Sequence, residues 1–341
     1  MTGVGDAKLP LVKRVHLIIA DLFLPNEIAA SAGLRLPALE KIFARGNRQT
    51  CPAIPFESLL CDLFGFPGGI APVCAAFDGL GSGAWMRADP VHVRLQRDQV
   101  VVIPDVDVSS EEAAKLCRSI NEHFAGQGME FCAPHENRWY VRLDAPPDIE
   151  TVPISQAAFR DMHGNLPSGI EERRWRKLHN EMQMLLHAHP VNEIREENGE
   201  LPINSLWFWG NGDDAKMDPH FSHASSDEKL AEMLSSSAGI LFTPWLPQWQ
   251  GSAGDDELLI FTRLRHVLQR GDFSAWRETL QDFESNYAKP LWQALRQGRI
   301  AGLDLTVVGG DHLYRLSLKR KDTWAFWRSK RLLDADAWNE D

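Results

Sequence analysis

No apolar run of eighteen or more residues occurs in the 341-residue chain, and stretches such as Val15–Ala20 have only strand length. A membrane-spanning helix is therefore not expected. Met1–Leu11 carries one lysine, one aspartate and several small residues without an apolar centre, so a signal peptide is not expected either. Cysteine is sparse. Cys51, Cys61, Cys74, Cys117 and Cys132 lie far apart, with no C-x-x-C pair and no zinc-finger spacing. An odd number leaves at least one thiol unpaired, which points to a reducing, cytoplasmic setting. Basic residues are outnumbered, 36 against 47 acidic, for a formal charge of −11. General attraction to nucleic acid or anionic lipid is not expected, and only a local basic patch could act in that way. Tyrosine is scarce too, with three against twelve tryptophans. Also missing are G-x-S-x-G, a P-loop, H-E-x-x-H, and a G-x-G-x-x-G following a strand, so nucleotide binding is not indicated.

What is present alternates strands with helices. Val15–Ala20 reads as a strand buried on both faces, and Leu36–Gly46 as a helix closed by its glycine. A second helix is expected over Phe56–Phe64, and an amphipathic one over Glu171–His187. Leu206–Trp209, Gly239–Phe242, Leu258–Thr262 and Leu303–Val308 read as strands, and Phe273–Arg296 as one long helix. Leu313–Leu318 is expected to pair with Lys321–Trp327 as a hairpin. Between them, residues 85–149 give a β-β-α-β-β pattern, with a capped amphipathic helix over Ser109–Phe124 that opens on Ser110, Glu111 and Glu112. The expectation is an α/β core with a mostly parallel sheet flanked by helices, over residues 12–84 and 150–330. A small α+β domain is inserted at 85–149, and a frayed tail follows at 331–341.

Ligands of parallel sheets gather where strands hand over to loops. Three such points end in polar residues: Asp21, then Gly210-Asn211-Gly212-Asp213-Asp214, then Gly309-Gly310-Asp311-His312. Asp218, His220 and His223 offer a carboxylate and two imidazoles within six residues, in a serine-rich stretch read as a solvated loop. The densest polar stretch is His189-Pro190-Val191-Asn192 through Arg195 to Asn204. It reads equally as a hydrogen-bonded joint or as an anion site, because arginine suits carboxylate and phosphate.

Several of these segments resemble archaeal-type cofactor-independent phosphoglycerate mutases of the alkaline phosphatase superfamily. Leu36-Pro37-Ala38-Leu39-Glu40, Leu63-Phe64-Gly65-Phe66, the His189–Asn204 stretch and Gly210-Asn211-Gly212 carry the similarity. Over residues 15–328 the chain also resembles the RpfE-type regulatory proteins of proteobacteria. That second likeness rests on Trp85–His92, Trp139–Arg142, Met184–Asn192 and Ser205–Gly210. The enzymes imply a two-metal site (Mn or Zn), a Ser or Thr nucleophile and an inserted domain. Here the nucleophile's place, counted back from Gly65, falls at Phe56-Glu57, with Ser58 late. In the D-x-x-G-H-x-G-D segment, Gly271-Asp272 is present, but Gln269 stands for the histidine and Arg265 for the aspartate. An arginine there would repel two cations.

The resemblance thus implies a non-catalytic regulatory or ligand-sensing protein with no catalytic residues, metal or cofactor. The alternative is a mutase or phosphomonoesterase whose shifted site uses Ser58, Asp21 and His266, with two divalent metals on Asp21, Asp311 and His312. A small anionic ligand is expected at His189, Arg195, His163 and Asp161. A protein partner reached through tryptophans such as Trp245, Trp249 or Trp324 is compatible with that reading, whereas nucleic acid and membrane are not expected.

Overall fold

A computed structural model describes residues 12–23, 33–104, 106–251, 256–310 and 312–328. The chain begins with β1 (Val12–Ala20), α1 (Pro37–Arg45), β2 (Asn47–Pro52) and α2 (Phe56–Leu63). It continues through α3 (Ala71–Phe77), β3 (Ala84–Gln96), β4 (Gln99–Ile103), α4 (Ser110–His123), β5 (Met129–His135) and β6 (Arg138–Leu143). Next come β7 (Ile149–Glu150), α5 (Ile154–Ala157), β8 (Ser168–Gly169), α6 (Glu172–His187), α7 (Pro190–Glu197) and β9 (Ser205–Gly212). The last part holds β10 (His223–Ser226), α8 (Lys229–Ala238), β11 (Leu241–Pro244), β12 (Asp256–Phe261) and α9 (Arg263–Gln269). It closes with α10 (Phe273–Phe283), α11 (Lys289–Gln297), β13 (Ile300–Gly309) and β14 (His312–Lys319).

Two compact units result, one from the chain up to Phe64 with that from Asp218 onward, the other spanning Gly65–Met217. The first unit is built on a seven-stranded sheet of order β11-β10-β12-β1-β13-β14-β2. Its five strands from β11 to β13 are mutually parallel, while β14 runs antiparallel to β13 and to β2. In β1, Val15 and Leu17–Ala20 are at most 2% exposed, as a strand covered on both faces requires. One helical layer packs Leu39, Ile42, Trp276, Leu280, Leu291 and Leu295 against the sheet.

Three expectations for this unit are corrected, and one strand that the sequence did not suggest is added. The helix expected over Phe273–Arg296 is interrupted by a π-helical turn at Glu284–Ala288. Pro290, in the first turn of α11, has no amide to donate. The widened turn also carries Glu284, whose carboxylate accepts from the amides of Ala38 (2.6 Å) and Leu39 (3.0 Å) at the start of α1. Second, β14 does not pair with the segment after it. It turns back on β13 through Gly309 and Gly310 (φ +145° and +68°), and Arg320–Trp324 is a 3-10 turn. Third, β2 accepts the other edge of β14; its half-exposed, polar sequence hides it from hydrophobic patterning. Last, the supposed solvated loop contains β10, all four residues of which are buried between β11 and β12. The hydroxyls of Ser226 and Ser225 bond the carbonyls of Ile260 (3.0 Å) and Pro244 (3.4 Å), which lets polar residues stand in a sheet interior.

The second unit holds a separate five-stranded antiparallel sheet, β4-β3-β6-β5, with β9 also paired to β3. Its core joins Met86, Ile120, Phe131 and Trp139 to Trp175, Met182, Leu206 and Phe208. The unit is therefore wider than the expected 85–149. Strand β9 completes this sheet antiparallel to β3, so Gly210-Asn211-Gly212 does not end a parallel strand. The expected capped helix forms, with its capping box on Ser109 rather than Ser110: Glu112 N donates to Ser109 Oγ, and Ser109 N donates to Glu112 Oε2 (2.8 Å). Arg87 and Asp89 form a buried ion pair inside the unit.

Candidate functional site

In the first unit the carboxyl ends of the parallel strands bring β1, β12 and β13 together. Asp21, directly after β1, has φ +55° and donates its amide to Val308 O (2.6 Å). Gly309 lies so close that a Cβ there would stand 2.6 Å from Asp21 Oδ1. Helix α9 starts where β12 stops. Asp227 accepts there from Thr262 N (2.8 Å), Thr262 Oγ1 (3.2 Å) and Arg263 N (3.0 Å), which fixes the first turn. The same turn delivers Arg265 Nε to Asp21 Oδ2 at 2.7 Å, with the guanidinium carbon 4.5 Å from the centre of the Phe56 ring.

Beside Phe56 on α2, Glu57 is buried, and its Oε2 has no hydrogen-bond partner among the described residues. Glu228, at the N-cap of α8, accepts from Leu230 N at 3.3 Å. Burial pushes the Glu228 carboxyl up, and the neighbouring Glu57 charge adds to the rise against the pull of Arg265 and His266. Arg265 is thus a cation set among carboxylates. Neither Glu57 nor Glu228 was singled out from the sequence, although Glu57 interrupts the apolar face of α2, and that irregularity was the available signal.

Of the residues considered for a shifted catalytic site, only Asp21 is engaged here. Ser58 is exposed on α2, His266 is exposed on α9, and His312 is half-buried at the start of β14, its ring 6.0 Å from that of Tyr314. Asp311 lies outside the described residues. Among the described residues no three His, Cys, Asp or Glu side chains converge as a metal site would require. With Asp21 bound by a guanidinium, the described donor set does not fit a pair of divalent metals.

The expected anion site in the second unit has a different geometry. Arg195 is 2% exposed, and its guanidinium donates to Leu201 O (2.8 Å), Asp107 O (2.7 Å) and Glu112 Oε1 (2.8 Å). It therefore does not project into a cleft; it ties α7 to α4. Asn192 bonds Leu186 O and Ile203 on both its amide and its carbonyl, and Asn204 bonds Val93 in the same two ways. His189 caps α7, its Nδ1 accepting from Val191 N (3.2 Å) while Nε2 lies 3.0 Å from Ser119 Oγ. Burial lowers the His189 pKa, so the ring carries no charge to offer an anion near neutral pH. Asp161 accepts from Val100 N and Gly164 N at 3.3 Å each, and His163 is exposed 3.5 Å from it. Arg195, Asn192, Asn204, His189 and Asp161 all bond backbone groups. His189 does border an open groove of about 590 Å³, with Ser119, His123, Met184 and Leu185, largely apolar in lining.

Two tryptophans expected at a protein interface are buried instead. Trp245 stacks on Tyr287 at 4.1 Å, and Trp249 donates to Glu257 (3.2 Å). Trp324 is 57% exposed. None of the five cysteines is joined in a disulfide, and no helix among the described residues is long and apolar enough to cross a membrane.

No protein-family model matches the chain. It is similar to a 2,3-bisphosphoglycerate-independent phosphoglycerate mutase of Methanosarcina mazei, 27% identical over 198 residues, covering 52% of this chain and 48% of that one. The corresponding mutase of Methanosarcina acetivorans is 24% identical over 196 residues, with the same coverage. The chain therefore spans about half the length of the curated relatives it matches. Among solved structures, the PH0037 protein from Pyrococcus horikoshii aligns with a TM-score of 0.54 at 13% identity, over 91% of this chain and 88% of that one. A cofactor-independent phosphoglycerate mutase from Thermoplasma acidophilum aligns over 91% and 90% with a TM-score of 0.45. About half of the chain is thus weakly similar in sequence to the cofactor-independent mutases, and its fold resembles that of the PH0037 protein.

Proposed function

We propose that this scaffold serves a regulatory or ligand-sensing role of the RpfE type rather than phosphotransfer. The observation that carries the reading is the 2.7 Å ion pair between Arg265 and Asp21. In a two-metal mechanism, cations polarise the phosphoryl group and activate the nucleophile. A guanidinium bound to the strand-end carboxylate occupies the cation's electrostatic role but offers no open coordination position. Ser58, exposed on α2, has no general base bonded to it among the described residues that would activate its hydroxyl. Glu228, half-buried at the start of α8, feels the charge of both Arg265 and the buried Glu57.

The test is direct. Protein purified without chelators is supplied with Mn²⁺ or Zn²⁺ and with 2- or 3-phosphoglycerate. The reading expects neither interconversion nor release of inorganic phosphate, and no metal retained in stoichiometric amount. Turnover that depends on added metal and disappears in Asp21→Asn would restore the enzymatic alternative.

A further inference from the structure

The chain is acidic as a whole, yet residues 319–331 carry six basic side chains against the single acid Asp322. The same stretch holds three of the most exposed aromatic residues of the described chain: Trp324 (57%), Phe326 (73%) and Trp327 (77%). They are not displayed by a loose segment. Thr323 and Ala325 are buried, and the Thr323 carbonyl accepts from Arg45, whose guanidinium rests over the Trp292 ring. Arg328 Nη1 bonds Arg45 O (3.1 Å), and Arg320 Nε bonds Arg296 O (3.3 Å). Inward and outward residues thus alternate along a turn anchored at both ends. Its outer side presents the aromatic rings, flanked by exposed Lys319, Arg320, Lys321 and Arg328.

We propose that the turn Arg320–Arg328 is a peripheral attachment site for anionic lipid bilayers. Trp324, Phe326 and Trp327 enter the headgroup region, and the flanking lysines and arginines face lipid phosphates. Tryptophan settles at the membrane interface, and each basic group near an anionic leaflet adds attraction. Two of the four flanking cations are lysines, a residue depleted in protein–protein interfaces. Single-stranded nucleic acid would require rings that stack bases along a groove. Here the Phe326 and Trp327 planes stand at 82° and project from one turn.

The test uses the full chain in co-sedimentation with phosphatidylcholine vesicles, with and without about 30% phosphatidylserine. Binding is expected to the anionic vesicles, about tenfold weaker to neutral ones and weakening as salt rises. Tryptophan emission should shift to the blue on binding. A W324A/F326A/W327A variant should lose about tenfold in partitioning with an unchanged melting curve. Should that variant fold poorly, K321E/R328E, which leaves the aromatic rings in place, should lose the salt-sensitive part of binding. No partitioning into anionic vesicles, or partitioning that neither variant alters, overturns the proposal. So does binding to single-stranded oligonucleotides alone, or a concentration-dependent dimer dispersed by the triple variant.

Discussion

Arg195 on α7 and Glu112 on α4, 83 residues apart in sequence, form a 2.8 Å ion pair with the arginine side chain only 3% exposed. Glu112 is also the closing carboxylate of the α4 capping box, so one side chain secures a helix start and clasps a second helix to it. In a motif that the sequence leaves open between anion recognition and a structural joint, Arg195 thereby serves architecture.

Replacing Arg195 by alanine removes one ionic and two carbonyl hydrogen bonds and leaves their acceptors without partners. The expected loss is about 2–4 kcal/mol of stability. Urea denaturation measures it, and a change below about 0.5 kcal/mol would show that the clasp is dispensable.

Glu228 sets the sign of a pH effect. Burial, then the nearby Glu57, raises its pKa above the ordinary carboxyl value. The group therefore favours the fold most below its unfolded pKa, and that contribution fades as pH rises through the folded value. Glu228→Gln should raise the melting temperature at pH 8 by about 2–4 °C, while giving no gain at pH 4. Equal effects at both pH values would contradict the assignment.

Counted along the segment that resembles the enzymes' D-x-x-G-H-x-G-D, Arg265 falls at the place of the aspartate. Arg265→Asp removes the cation and places a second carboxylate beside Asp21. Millimolar Mn²⁺ should then stabilise the variant by about 1.4 kcal/mol at a tenfold excess over its dissociation constant. The same metal should leave the parent chain's melting temperature unmoved. Differential scanning with and without EDTA reads both.

Gly309 is required by shape. Its φ of +145° is costly for a side chain, and a Cβ would meet Asp21 Oδ1 at 2.6 Å. Gly309→Ala should cost about 1–3 kcal/mol and loosen the Asp21–Arg265 pair. Chemical denaturation of this variant and of the double variant with Asp21→Ala should give clearly non-additive losses.

The sequence by itself determined elements whose stabilisation is local. The buried strand β1, the capped start of α4 and the amphipathic face of α6 were legible because their causes lie within a few residues of one another. The alternation of strands and helices was enough to anticipate a mostly parallel sheet. Tertiary structure alone decided what depends on distant partners. Strands β2 and β10 are polar and owe their places to neighbours in the sheet, and the π-helical turn serves α1 through a carboxylate 246 residues away. The candidate site follows the same division. Sequence named Asp21 and the anomalous Arg265, but their 2.7 Å contact spans 244 residues, and the burial of Glu57 and its influence on Glu228 emerge only when the helices pack. Arg195 and Trp245 show the limit from the other side. A side chain's chemistry is written in the sequence, but whether its donors or its surface remain available is settled by what folds against them.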